Sequence, residues 1–155
     1  MRVSLIAIGG KMPAWVEQGV AEYRKRLPPE IQYQIIELPL AKRGKTSSAE
    51  KIKEDEGKAL LAQVPKGDKI IALDVLGKTM STEKLAKSLA RWQMEGDNIS
   101  LLVGGPDGLS QACLQQAQER WSLSALTMPH PLVRVLFTEQ LYRAWAINNN
   151  HPYHK

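Results

Sequence analysis

The chain has 155 residues, 43% of them apolar, with 21 lysines and arginines against 16 acids, for a net charge of +5. That length holds one domain, residues 1–155, with a real core, and the composition excludes a disordered or collagen-like chain. The basic excess points to an anionic partner such as nucleic acid, and a single cysteine, Cys113, excludes an internal disulfide and fits a reducing cytoplasm.

The chain opens on an apolar run, Arg2 to Ile8, that predicts a buried strand ended by Gly9 and Gly10. It is too short for a signal peptide and lacks a small-residue cleavage site, and no later run approaches the length of a membrane span. Pro13 suits the first turn of a helix reaching about Arg26, where Pro28 and Pro29 stop it. The charged run Arg24 to Arg26 reads as solvated helix surface. Ile31 to Leu38 predicts a second strand, followed by the basic loop LAKRGKTSS. Ser47 with Glu50 forms a capping box for a helix carrying Ile52, Leu60, Leu61 and Val64.

Lys69 to Asp74 predicts the third strand. Ser81 caps a helix with Leu85, Leu89 and Trp92 on one face, and a turn at Glu95 to Asn98 leads into a fourth strand, Ile99 to Val103. Ser110 caps the next helix. Leu123 to Thr127 reads as a short fifth strand, and Leu132 to Asn148 as a long final helix. Strands alternating with helices predict an α/β fold with a mostly parallel sheet covered on both faces.

Ligands in such sheets collect at the carboxyl ends of strands. Three loops fall there: DVLGK (74–78), GGPDGLS (104–110) and SLSALTMPHP (122–131). Their small residues and prolines are also ordinary turn chemistry, but three of them at one edge point to a binding site. The glycine spacing matches neither a Walker loop nor a dinucleotide fingerprint. No Lys or Arg lies between Asp74 and Gly77 or between Gly104 and Gly108. The pattern therefore disfavours a phosphate and suits a neutral or cationic ligand. Asp107 either attracts that positive charge or shapes the turn before Ser110. Three scattered histidines and one cysteine give no zinc spacing, so no metal is expected. No GxSxG elbow exists, and Cys113 reads as a small buried hydrophobe.

The final helix is apolar on nearly every side, which predicts burial in a core or against a partner. NNHPYHK behind it is either a frayed polar tail or a source of stacking, proton transfer and phosphate contact to a nucleic acid.

Together these residues resemble a known family. The likeness covers KMPAWV (11–16), KRGK (42–45), LD with GK (73–78), LLVGGPDGLS (101–110), WSLSALTMPHPLVRVLFTEQLYRAW (121–145) and NHPYH (150–154). The chain resembles the small bacterial SPOUT-class methyltransferases that act on N3 of a pseudouridine in large-subunit ribosomal RNA. The resemblance implies a SPOUT-type sheet with a deep C-terminal trefoil knot, S-adenosylmethionine held in the knotted loops, and a homodimer in which both partners shape the site. It implies cofactor contacts at Leu73, Gly104, Leu123, Ser124, Ala125, Leu126, Thr127 and Met128. The N3 proton must leave, and His130, Tyr153 and His154 are the candidates to take it or to orient the base, with His154 preferred. Lys11, Lys42, Arg43, Lys45, Arg143 and Lys155 are the expected RNA contacts; Arg134 and Arg143 alternatively steady the RNA or the dimer. So small an enzyme is expected to need a large, shaped substrate, the assembled ribosome. A non-catalytic RNA- or ribosome-binding factor on the same fold is the rival reading.

Overall fold

β1 (Arg2–Ile8) shows how the core is built. Side chains of a strand alternate between faces. Val3, Leu5 and Ala7 enter one apolar cluster and Ile6 and Ile8 another, each at most 1% exposed. A strand apolar on both faces must be covered on both. The computed structural model describes residues 1–42, 44 and 47–154.

β1 is flanked by β2 (Gln32–Leu38) and β4 (Ile99–Val103). Beyond β4 lie β3 (Lys69–Thr79) and β5 (Glu119–Ser122), giving the order β2-β1-β4-β3-β5 with every pair parallel. On one face sit α3 (Thr82–Glu95) and α5 (His130–Asn148), with α1 (Ala14–Arg24) packed on α5. On the other sit α2 (Ala49–Ala62) and α4 (Gln111–Gln116), through Leu60 and Cys113. Cys113 is fully buried, with its Sγ 3.7 Å from the Gly57 carbonyl, as expected of a small core residue.

Ser81 and Ser110 cap their helices as the sequence predicts, each hydroxyl accepting from the backbone N–H three residues on. The cap of α2 is displaced by one. Ser48, not Ser47, accepts from the Lys51 N–H, while the Ser47 hydroxyl accepts from Gly44. The final helix begins at His130 rather than Leu132, because Pro131 fits the first turn.

The fifth strand is the largest correction. It is Glu119–Ser122, not Leu123–Thr127. Gln118 starts the pairing: its N–H donates to the Ile70 carbonyl at 2.8 Å and its side-chain oxygen accepts from the Ile70 N–H at 2.7 Å. Residues 123–127 instead form an irregular loop stabilised by its own serines. The Ser122 hydroxyl donates to the Ser124 carbonyl and the Ser124 hydroxyl accepts from the Leu126 N–H. β3 also differs: it runs on to Thr79, but Leu73 and Lys78 both oppose Trp121, so residues 74–77 bulge out of the ladder. The tail is not frayed. Pro152–His154 form a 3-10 turn folded back on α5.

Candidate functional site

Because every strand is parallel, the loops that follow them gather at one edge of the sheet. Over β4, β3 and β5 those loops enclose a cavity of about 550 Å³, a volume in the range of small-molecule sites. Leu73, Gly104, Leu123, Ser124, Leu126, Thr127 and Met128 line it, as do Asp74, Asp107 and His130. Ala125, the remaining expected cofactor residue, is exposed and outside the wall.

The wall is apolar where a ligand body would lie. Val75, Leu76 and Leu126 are 70%, 90% and 76% exposed, a cost that cover by an apolar group removes. Val75 and Leu76 stand clear of the sheet because of the 74–77 bulge, whose turn is held by the Leu76 N–H donating to Asp74. Two acidic residues, Asp74 and Asp107, border the cavity, against one lysine, Lys53. Lys53 was not anticipated from the sequence: it comes from α2, where its ammonium pairs with Glu50 at 3.0 Å. Nothing in the loop motifs signals that a helix residue joins them at the cavity. The arrangement suits a ligand with an apolar body and a positive charge.

The glycines of the loop serve the backbone first. A Cβ on Gly104 would lie 2.6 Å from the Gly108 carbonyl carbon, and Gly108 itself has φ +88°. Gly105 and Gly108 form an isolated bridge, with the Gly108 N–H donating to Gly105.

His130 opens α5 at the cavity wall. Burial, followed by the nearby Arg134, pushes its pKa below the usual 6.5, and Glu56 only partly opposes them. Its ring is therefore neutral at pH 7. An unfolded chain takes up this proton as pH falls below 6.5, before the folded chain does, so folded stability declines from there downward. His130→Gln is expected to narrow the difference in melting temperature between pH 8 and pH 5. An unchanged difference would show that this histidine does not set the acid limb.

The tail is elsewhere. The Tyr153 hydroxyl donates to Glu139 at 2.8 Å and its ring lies 4.7 Å from that of Tyr142. Glu139 is nine residues along α5 from His130, a rise of about 14 Å. Within one chain, then, His130 borders the cavity while Tyr153 and His154 lie further along α5. Burial and the bond to Glu139 push the Tyr153 phenol up to about 12. In this arrangement its hydroxyl is a hydrogen-bond donor to Glu139.

Of the expected RNA contacts, Lys11 and Lys42 are exposed in the loops that follow β1 and β2. They flank the cavity on the β1–β2 side of the same sheet edge. Arg143 is paired with Glu139 at 2.7 Å. Arg43, Lys45 and Lys155 lie outside the described residues. Arg134 is 1% exposed and donates Nη1 to the His130 carbonyl at 3.0 Å, so one chain offers it no route to RNA. Arg26 is more than solvated surface: its guanidinium pairs with Glu22 and lies 5.7 Å from the Tyr153 ring centroid. Glu56, also unforeseen, is 2% exposed beneath the site. One oxygen accepts from the Ala41 N–H where the basic loop begins, and the other lies 2.8 Å from where a Cβ on Gly105 would be. No group of three or more His, Cys, Asp or Glu suited to a metal exists among the described residues. No described helix is long and apolar enough to cross a membrane.

Comparison with known proteins agrees with this geometry. Residues 1–154 match the family model described as "Predicted SPOUT methyltransferase". The chain is 59% identical to a protein of Teredinibacter turnerae and 57% identical to one of Saccharophagus degradans, each alignment covering all of both chains. It is 54% identical to one of Hahella chejuensis, over all of this chain and 99% of the other. All three are named ribosomal RNA large subunit methyltransferase H. A solved structure from Haemophilus influenzae Rd KW20, described as a probable methylase family protein, superposes with a TM-score of 0.61 at 12% identity, over 96% of this chain and 68% of that one. That likeness establishes the fold alone. The family match across nearly the whole length, on a sheet whose loops form a cavity of this character, places the chain in the SPOUT methyltransferase family.

Proposed function

We propose that this protein transfers a methyl group from S-adenosylmethionine to N3 of a pseudouridine in large-subunit ribosomal RNA, acting on the assembled ribosome as a homodimer. The observation that carries the reading is the cavity of about 550 Å³ built by the three loops after β3, β4 and β5. The full-length relatives' shared name supplies the substrate class. The knot belongs to the same proposal.

S-adenosylmethionine supplies an electrophilic methyl group, so no covalent enzyme intermediate is needed. The residues of the chain hold and orient. Leu73, Leu126 and Met128 cover the apolar body, Asp74 and Asp107 favour its positive charge, and Lys53 meets its carboxylate. Lining up N3 with the methyl carbon and sulfur is the main contribution of the site. The basic loops at Lys11 and Lys42 lie beside the cavity, where RNA phosphates would pass. His130 is the neutral imidazole at the wall. His154 remains the preferred group for the N3 proton, which requires a tail to arrive from outside the chain's own cavity.

A second copy supplies that tail. Trp15 on α1 and Leu132 on α5 are 53% and 45% exposed, on helices that pack together. An exposed apolar surface on adjoining helices supports an interface between copies.

The test is transfer of labelled methyl from S-adenosylmethionine to assembled ribosomes, free large subunits and naked ribosomal RNA. Assembled ribosomes are expected to accept label at one pseudouridine, naked RNA hardly at all. Absence of transfer to every substrate, with no calorimetric binding of millimolar S-adenosylmethionine, would overturn the reading.

A further inference from the structure

One oxygen of Glu139 gathers most of the polar contacts near the tail. Oε1 accepts from Arg143 Nε at 2.9 Å, from Arg143 Nη2 at 2.7 Å and from the Tyr153 hydroxyl at 2.8 Å. Oε2 accepts from Gln140 Nε2 at 2.8 Å, and the Gln140 side-chain oxygen accepts from Thr82 at the start of α3 at 2.7 Å. The Glu139 side chain is only 14% exposed. A carboxylate this sheltered is costly unless its partners are complete.

An exposed glutamate–arginine pair one helical turn apart would be a minor surface feature. This pair differs in having a third member from the tail, and in being stacked. The Arg143 guanidinium lies 4.9 Å from the Tyr153 ring centroid, and Arg26 lies 5.7 Å from it. Aromatic contacts with Tyr142 already tie the tail down. What Glu139 adds is direction: one of its oxygens accepts from both Nε and Nη2 of Arg143, which fixes the plane of the guanidinium.

We propose that Glu139 is a positioning residue of the methyl-transfer site, fixing Arg143 and Tyr153 as one unit so that the guanidinium of Arg143 meets the RNA already oriented. The proposal rests on the reading that the tail and Arg143 serve the reaction. A planar guanidinium held in advance loses less freedom on contacting phosphate or a base carbonyl than a mobile one.

The test compares Glu139→Leu and Glu139→Gln with Arg143→Ala and Tyr153→Phe, using intact ribosomes and saturating S-adenosylmethionine. Glu139 lies outside the cavity wall, so the Kd for S-adenosylmethionine is expected to stay within about twofold in both Glu139 variants. The kcat of Glu139→Leu is expected to fall about 10- to 100-fold. Glu139→Gln, which keeps an acceptor oxygen but not the charge, is expected to fall several-fold. A second readout is the tyrosine titration followed by NMR of ring-labelled protein, with Tyr153→Phe giving the assignment. Tyr153 is faced by Glu139, Tyr23, Arg143 and Arg26. Its titration should move from about 12 toward the ordinary value near 10 in Glu139→Leu. Wild-type kcat in Glu139→Gln overturns the positioning role, even if Glu139→Leu fails to fold. If Arg143→Ala or Tyr153→Phe then remain impaired, the tail reading survives without it. Wild-type kcat in all four variants overturns both.

Discussion

Replacing Gly104 by alanine is expected to distort the cavity over β3, β4 and β5, although it removes no atom that a ligand could touch. The added Cβ would sit 2.6 Å from the Gly108 carbonyl carbon, 2.7 Å from its oxygen and 2.9 Å from the Leu109 nitrogen. All three are backbone atoms, so no rotamer change relieves the clash. The loop has little slack elsewhere. The Gly108 N–H is bonded to the Gly105 carbonyl at 2.9 Å, and Gly108 holds a left-handed φ of +88°. The turn must open by roughly an ångström to restore ordinary contact. Overpacking of this kind costs about 1–3 kcal/mol, a fall in melting temperature of roughly 3–10 °C for a chain of this size. Since Gly104 and Gly108 both border the cavity, strain of this size is expected to lower affinity for S-adenosylmethionine at least about tenfold, the equivalent of about 1.4 kcal/mol. Gly10→Ala is the control, because no atom lies within 4 Å of the Cβ it would gain. Calorimetry and thermal melts read both variants. A Gly104→Ala protein that binds and melts like wild type would mean that the tight Gly104–Gly108 approach is not what shapes the cavity.

The same glycines show how far the sequence could be read. An apolar strand running into GGPDG signals a ligand loop, and the absence of Lys and Arg within it disfavours a phosphate cradle; the loop does border a cavity. Local chemistry was equally plain at Ser81 and Ser110, whose caps depend only on residues three positions away. Whatever depended on distant partners was hidden. β5 was misplaced because Leu123–Thr127 is the more apolar stretch, whereas the actual strand is set by Gln118 pairing with Ile70, 48 positions back. The bulge at 74–77 reads as a loop, yet it leaves and rejoins one strand opposite Trp121. The capping serine of α2 differed by one because Ser47 found a competing partner in Gly44. Lys53 and Glu56 carry no motif at all. They matter because α2 passes beneath the loops, and only the packed structure shows that. The tail could not be judged from its composition, since it docks through partners on α5, Tyr142 and Glu139.

Mixing two inactive variants is expected to restore methyl transfer. Leu126→Arg should disable the cavity: Leu126 lies in its wall at 76% exposure, so the fold tolerates the change while a positive charge faces a cationic ligand. Tyr153→Ala should disable the tail, which docks on α5 about 14 Å of helix rise beyond His130. Each variant alone has two defective sites if the tail of one copy completes the cavity of the other. In a hybrid dimer both defects fall in the same site, where the Leu126→Arg cavity meets the Tyr153→Ala tail, and the other site is whole. Random assembly at equal amounts makes about half the dimers hybrid, each with one working site, so activity should recover to about one quarter of wild type. Co-expression with two different affinity tags ensures exchange and allows the hybrid to be purified, when it should show about half of wild-type activity per dimer. If each tail served its own cavity, every site in the hybrid would carry one defect, and activity would not exceed the sum of the two variants measured alone. That result, or a chain that sediments as a monomer at assay concentration, would rule out completion by a second copy. The distinction does not depend on which group takes the proton of the target base, because it asks only whose tail is needed.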